Sequence, residues 1–346
     1  MNLSHYFPGV RNSQVLKGVL LVNLGTPNSF SKRDVRKYLT EFLTDERVID
    51  LPPIRRHLLV RGVIIPKRVK ESAKLYQSIW EKGGSPLLIH GKNTESLLQE
   101  KLGSQFRVKL AMRYQNPSIE EGLNALKGCK TLTILPLFPQ YASATTGSVH
   151  QKVFNILSTW QTIPEVRFIS HYADHPKIIE AIAERGRERD LNQFDHFVFS
   201  YHGLPVRQLC KADENNLCLK VSDCCKRNQS CYAAQCVSTT EGIVKKLQIP
   251  EGKWSHTYQS RLGKSPWIEP YTDVVLKKLA QENKKKVLVF CPSFVADCLE
   301  TLEEIASQYR KEFIKHGGET LELVQSLNGH PKWIETMESL IHDHPY

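Results

Sequence analysis

Six short runs of apolar and β-branched residues punctuate the chain: GVLLVN (18–23), FRVKLAMRY (106–114), TLTILPLFP (131–139), HFVFSYHG (196–203), SHTYQS (255–260) and KKVLVFCPSF (285–294). Between them lie stretches with helical periodicity, among them HPKIIEAIAERGRE, YTDVVLKKLAQEN and LETLEEIASQYRKEFIKHG. Runs this short and this apolar suit strands buried on both faces. Strands alternating with helices lie parallel, because a parallel pair needs a long crossover. The expected fold is α/β, with two doubly wound, Rossmann-like parallel-sheet domains and a cleft between them. At 346 residues each domain can bury its own core. The expected division is 1–155 for an N-terminal domain, and 156–325 for a C-terminal domain with a cysteine-rich insert at 210–236. Residues 326–346 are expected to form a terminal helix packed back on the first domain.

A net charge of +11 points to an anionic partner. From Leu51 to Lys70 no acidic residue occurs, and Arg55, Arg56, Arg61, Lys67, Arg68 and Lys70 alternate with Leu58, Leu59, Val60, Val63, Ile64 and Ile65. Such a mixture suits an interfacial segment, with a basic-flanked core helix as the equal alternative. It does not suit a nucleic-acid arm, so no nucleic-acid partner is expected. The chain carries no G-x-G-x-x-G, no phosphate loop, no H-E-x-x-H and no G-x-S-x-G, which argues against dinucleotide enzymes, P-loop NTPases and the commonest hydrolases. No run approaches the roughly 20 apolar residues of a spanning helix. The opening MNLSHYFPGVRNSQVLKG lacks the features of a secretory signal. A cytoplasmic protein is expected, with any membrane contact peripheral.

In open α/β sheets ligands bind beyond the carboxyl ends of strands, so NLGTP, RYQNP, FPQYASATTGS and SYHGLP should share one cleft. With KYLTEFLTDERVIDLP, GGSPL, YQSRLGKSPWIEP, SFVADCLETLEE and VQSLNGHP, in colinear order over nearly the whole chain, these segments resemble the ferrochelatases. Those enzymes insert ferrous iron into a porphyrin at the end of haem synthesis. The resemblance implies a lyase whose substrates are ferrous iron and a porphyrin. It also implies a pocket lip at about 50–75 in the N-terminal domain, and protoporphyrin IX is favoured over coproporphyrin III, because the length and apolar content of that lip look like those of the membrane-associated enzymes. A non-catalytic tetrapyrrole- or metal-binding module of the same fold is the alternative, and a homodimer stands open beside a monomer.

Metal insertion strips pyrrole protons, so the site needs a base titrating near neutrality, and His202 in SYHGLP is the natural candidate. A strand-end histidine taken alone is more often structural. Glu300 and Glu304 stand four apart in ADCLETLEE, a ridge able to hold a proton or a divalent cation, though acids in a first helical turn also suit the helix dipole. The resemblance implies that His202 is base or iron ligand, that Glu300 faces it across the porphyrin, and that Glu304 continues the acidic line. It further implies a substrate wall of Leu24, Arg113, Tyr114, Tyr141, Ser143, Thr145 and Trp267. Where many ferrochelatases have a second histidine two residues before that first glutamate, this chain has Cys298.

CLKVSDCCKRNQSC, residues 218–231, departs from most of the family. Six of the nine cysteines, Cys210, Cys218, Cys224, Cys225, Cys231 and Cys236, lie in this region. Disulfides do not suit a reducing compartment. Structural zinc prefers closer C-x2-4-C pairs, and scattered free thiols rarely crowd so. Some bacterial ferrochelatases resemble this arrangement and hold an internal 2Fe-2S cluster, which implies Cys218, Cys224, Cys225 and Cys231 as ligands, with Cys210 and Cys236 in reserve.

Overall fold

Among the described residues, eight strands form two four-stranded sheets, both wholly parallel. The first holds β1 (Lys17–Gly25), β2 (Phe106–Tyr114), β3 (Thr131–Pro136) and β4 (Glu165–Phe168) in the order β2-β1-β3-β4. The second holds β5 (His196–His202), β6 (Trp254–Gln259), β7 (Lys286–Phe290) and β8 (Thr320–Leu323) in the order β6-β5-β7-β8, the same topology repeated. In each sheet the first strand lies between the next two, so the strand order reverses beside β1 and beside β5. Those two reversal points open the crevices where α/β proteins bind ligands. This computed structural model describes residues 16–261, 263 and 265–342. The expectation about a secretory signal falls largely on residues 1–15, outside those described.

The doubly wound α/β fold is as expected, and two strands escaped the sequence. β4 and β8 are four residues long, lie at sheet edges and mix charged with apolar residues, so neither makes an apolar run. β4 moves the expected boundary: a division after residue 155 would cut helix Ser148–Leu157, and the first sheet continues to Phe168. One core spans both sheets, joining Val19 and Leu21 of β1 to Phe199 and Tyr201 of β5 and to Phe290 of β7. Helix Pro331–His342 closes that core with Trp333 and Met337, and the Arg167 guanidinium of β4 donates to the Ile341 carbonyl at 3.0 Å.

The lip is one continuous helical rod: Pro53–Leu59, a π-helical turn at Val60–Ile64, then Ile65–Ile79. The Ile65 amide donates to the Val60 carbonyl, five residues back. That wider turn puts Val60 and Ile65 on one face, both buried with Val69 and Tyr76 against Val35 and Tyr38 of helix Lys32–Leu43. The opposite face carries Ile54, Leu58 and Val63, which are 76%, 69% and 44% exposed. One side of the rod is therefore core, as the core-helix alternative expected, and the other is exposed and apolar. Arg56 is buried, and its guanidinium donates to the Leu51 carbonyl at 2.8 Å, so it does not face a substrate. Ile65→Ala should cost about 2–5 kcal/mol of stability. Leu58→Ser should change stability by less than about 0.5 kcal/mol. Urea unfolding of the two variants checks this, and equal losses would mean that both faces are core.

Candidate active site

His202 is the last residue of β5, at the reversal point of the second sheet. Both polar groups of its backbone are held by side chains: the amide donates to Ser293 Oγ at 3.2 Å, and the carbonyl accepts from the Tyr232 hydroxyl at 2.7 Å. Its ring Nδ1 lies 2.7 Å from the Gly203 carbonyl. A carbonyl only accepts, so Nδ1 carries the hydrogen and the neutral ring keeps its lone pair on Nε2. The ring lies between Trp267 and Phe294, at centroid distances of 6.4 and 6.3 Å. A Cβ on Gly203 would stand 2.9 Å from the Gln259 carbonyl and 3.2 Å from the Trp267 ring, so only glycine lets this wall close.

Glu300 and Glu304 open a π-helical stretch, Glu300–Tyr309, where the sequence implied an α-helix. Gln259, the register partner of His202 on β6, ties this stretch to the histidine strand. Its Nε2 donates to the Glu300 carbonyl at 2.9 Å and to Glu304 Oε2 at 3.0 Å. Its Oε1 accepts from the Ser200 hydroxyl at 2.8 Å and from the Cys291 thiol at 3.7 Å. Glu304 also accepts from the Ser260 amide at 2.8 Å, the Ser260 hydroxyl, and the Tyr309 hydroxyl at 2.9 Å. These donors are all neutral, so its charge is solvated without being cancelled. Glu300 lies against Tyr38, Tyr76 and Cys298. Burial, then the Glu300 charge, pushes the Cys298 thiol well above its usual range, so the thiol stays protonated and hydrogen-bonds that carboxylate.

A second wall, in the first half of the molecule, is built on Asp45, which the sequence did not single out. Its Oδ2 accepts from Arg113 Nη2 at 2.5 Å, Ser148 Oγ at 2.6 Å and the Tyr114 hydroxyl at 2.9 Å; its Oδ1 accepts from the Arg47 amide at 2.8 Å. Burial pushes this carboxyl up, but the bonds from Ser148 and Arg47 and the Arg113 charge outweigh it and hold it below the usual range. Tyr114 is fully buried under the Arg113 guanidinium, 4.5 Å from its ring, so it supports the wall without reaching the cleft. The expected substrate wall included Tyr114; its side chain is buried here, with its hydroxyl on Asp45. Leu24 packs in the same cluster as Tyr38, Tyr114 and Leu299. A π-helical turn, Ser143–Gly147, carries Ser143, which accepts from Arg47 Nη1 at 2.8 Å, and Thr145, whose hydroxyl turns back to Ala142 O at 3.3 Å. The Tyr141 amide donates to Gln235 Oε1 at 2.7 Å, from the second half of the chain.

The cysteine segment is organised by Asp213, which accepts from the amides of Asn215, Leu217 and Cys218 and from the Asn228 side chain. Cys218, Cys224 and Cys231 line one small void with Asn228. The Cys218 thiol is pushed up to about 12 by burial and by Cys231, Cys210 and Cys224, in that order. Cys225 has Cys224 and Cys231 as its sulfur neighbours, and Cys236 is fully buried against Tyr232. Several thiolates cannot share this space unless a cation offsets their charge. Soft donors around one void fit an iron–sulfur group in kind. Among the described residues, however, no three His, Cys, Asp or Glu side chains stand in a metal-binding arrangement, here or at His202 and Glu300.

A sequence model described as Ferrochelatase matches residues 16–345. A ferrochelatase from Legionella pneumophila is 45% identical over 328 residues, covering 94% of this chain and 99% of its own. One from Coxiella burnetii is 43% identical over 339 residues, covering 96% and 94%. Among solved structures, SirB from Bacillus subtilis with Fe3+ matches with a TM-score of 0.50 at 11% identity, over 94% of this chain and 95% of that one; at that identity the likeness concerns the fold alone.

Asp45→Ala leaves Arg113 without its counter-charge in a site where the two side chains are 15% and 5% exposed. The expected loss is about 3 kcal/mol. The carboxyl is held below its ordinary value, so its contribution is complete above the unfolded carboxylate range and fades as pH falls through the folded value. The gap between wild type and variant should therefore begin to narrow only below about pH 4 and go on shrinking as the pH falls through the lowered folded value. A gap that stays constant down to about pH 2 would show that the charge on Asp45 is not what stabilises the wall.

Proposed function

The chain belongs to the ferrochelatase family, lyases that insert ferrous iron into a porphyrin to make haem, and from that premise we propose that its porphyrin is protoporphyrin IX and that His202 and Glu300 receive the two pyrrole protons. The observation that carries this is the 2.7 Å contact between His202 Nδ1 and the Gly203 carbonyl: an Nδ1–H given to that carbonyl leaves Nε2 as the acceptor at the reversal point of the sheet. Ferrous iron replaces two N–H protons on the macrocycle, so the balance is one cation in and two protons out, with no change of oxidation state. Nε2 takes the first proton. Glu300, on a ridge that Gln259 fixes to the same sheet, takes the second, and Glu304 holds an uncancelled negative charge along the path of an incoming cation. Trp267 and Tyr141 offer aromatic faces to the macrocycle, and Arg113, Ser143 and Thr145 supply the polar wall.

The lip supports the choice of porphyrin. Ile54, Leu58 and Val63 leave an apolar strip beside Arg55 and Arg61, which suits a macrocycle with two carboxylates better than one with four. The same strip suits an anionic lipid surface, so a cytoplasmic protein resting on a membrane through its lip is part of this proposal. No helix among the described residues is long and apolar enough to cross one. For the thiols we place a 2Fe-2S cluster on Cys218, Cys224 and Cys231, with Cys210, the neighbour of Cys218, in the position expected of Cys225. Bound there, the group would supply a covalent cross-link to the segment.

His202→Ala and Glu300→Gln should each lower kcat for iron insertion by at least about 100-fold while melting stays near wild type. A His202→Ala enzyme with near-normal turnover, followed by the Soret band under anaerobic conditions, would remove the histidine from the chemistry. Anaerobic protein should be red-brown, with about two iron and two labile sulfide per chain. Cys210→Ser should bleach it and Cys225→Ser should not, and the reverse pattern restores Cys225 as the fourth ligand. Replacing Ile54, Leu58 and Val63 together with Ser should abolish flotation with anionic vesicles and leave the fold intact.

A further inference from the structure

The cysteine segment is strapped to both walls of the cleft. At its leading end, helix Val206–Lys211 starts four residues after His202 and reaches the other half of the molecule. Gln208 Nε2 donates to the Val48 carbonyl at 3.1 Å, and Arg207 pairs with Asp50 at 2.8 Å. Those residues belong to the same loop as Asp45 and Arg47, which set the porphyrin wall. At its trailing end, Cys231 is the residue before helix Tyr232–Leu247. The first residue of that helix is Tyr232, a buried side chain whose hydroxyl holds the His202 carbonyl at 2.7 Å. One turn on, Gln235 holds the Tyr141 amide at 2.7 Å.

We propose that Tyr232 is a positioning residue for His202, and that through it the order of the cysteine segment governs where the histidine stands. The phenol fixes the carbonyl of the residue from which the imidazole projects, and the Ser293 hydroxyl holds the amide of the same residue. Because Tyr232 follows Cys231 directly, any movement of that thiol shifts the start of the helix and with it the phenol. Loosening the segment then moves the base, without electron transfer to or from the substrate. The inference rests on His202 as the base, but its first readout is backbone order, which is independent of that assignment.

Tyr232→Phe removes one hydroxyl and keeps the ring. Amide hydrogen exchange at residues 202–204 should quicken about tenfold, the equivalent of one hydrogen bond, while residues 197–199 inside β5 stay protected. kcat should fall with porphyrin KM nearly unchanged. Cys231→Ser should quicken exchange at the same residues, and the double variant should exceed neither single by more than about twofold there, since both act through one contact. Unchanged exchange at 202–204 in Tyr232→Phe, or effects of Cys231→Ser confined to 211–230, would overturn the proposal. Independent, multiplying effects of the two substitutions would overturn it as well. If His202→Ala kept full turnover, the assignment of the base would fall while the exchange results still judged the strap.

Discussion

The side-chain amide of Gln259 is the interaction on which the arrangement of the site depends. All four of its hydrogen bonds are made inside the protein: Ser200 and Cys291 donate to its oxygen, and its nitrogen donates to the Glu300 carbonyl and to Glu304. Burial makes that complete pairing necessary, because an amide left unpaired away from water costs about 1–3 kcal/mol per group. The residue is also in register with His202 on the neighbouring strand. One amide thus sets the acids of a helical stretch, contributed from more than 90 residues away in sequence, relative to the histidine of a central strand.

Asp45 plays the matching part in the first half of the molecule, with a charge where Gln259 has a dipole. It gathers Arg113, Tyr114, Ser148 and Arg47 and leaves a rigid polar wall. The two halves are then held to one another by the shared core and by the contacts of Gln208, Arg207 and Gln235. Iron insertion needs this rigidity, because the macrocycle must be held so that its pyrrole protons meet acceptors on fixed geometry.

Three π-helical turns occur among the described residues, at Val60–Ile64, Ser143–Gly147 and Glu300–Tyr309, and each lies in a segment that borders the cleft. A π turn widens the helix and rotates the side chains that follow. In the lip it brings Val60 and Ile65 onto one buried face, while Ile54, Leu58 and Val63 lie exposed on the other.

The sequence by itself determined the fold class, because parallel strands buried on both faces must be written as apolar runs separated by helices, and six of the eight strands are. β4 and β8 were not legible, since a four-residue edge strand needs no such run. The strand-end motifs also placed His202 and Arg113 at the carboxyl ends of their strands, which follows from topology alone. Tertiary structure decided the rest. Asp45 and Gln259 are ordinary polar residues in sequence, and only long-range partners make them hubs. Tyr114 ends a strand like its neighbour Arg113, yet the close packing of Phe42 and the Arg113 guanidinium removes it from the cleft. The π turns are invisible to a pattern of apolar spacing, because the hydrogen bond that defines each depends on whether the surrounding core accepts the extra residue. Cysteine spacing told that thiols crowd together. Which sulfurs share a void was set by the Asp213 carboxylate folding the segment onto itself.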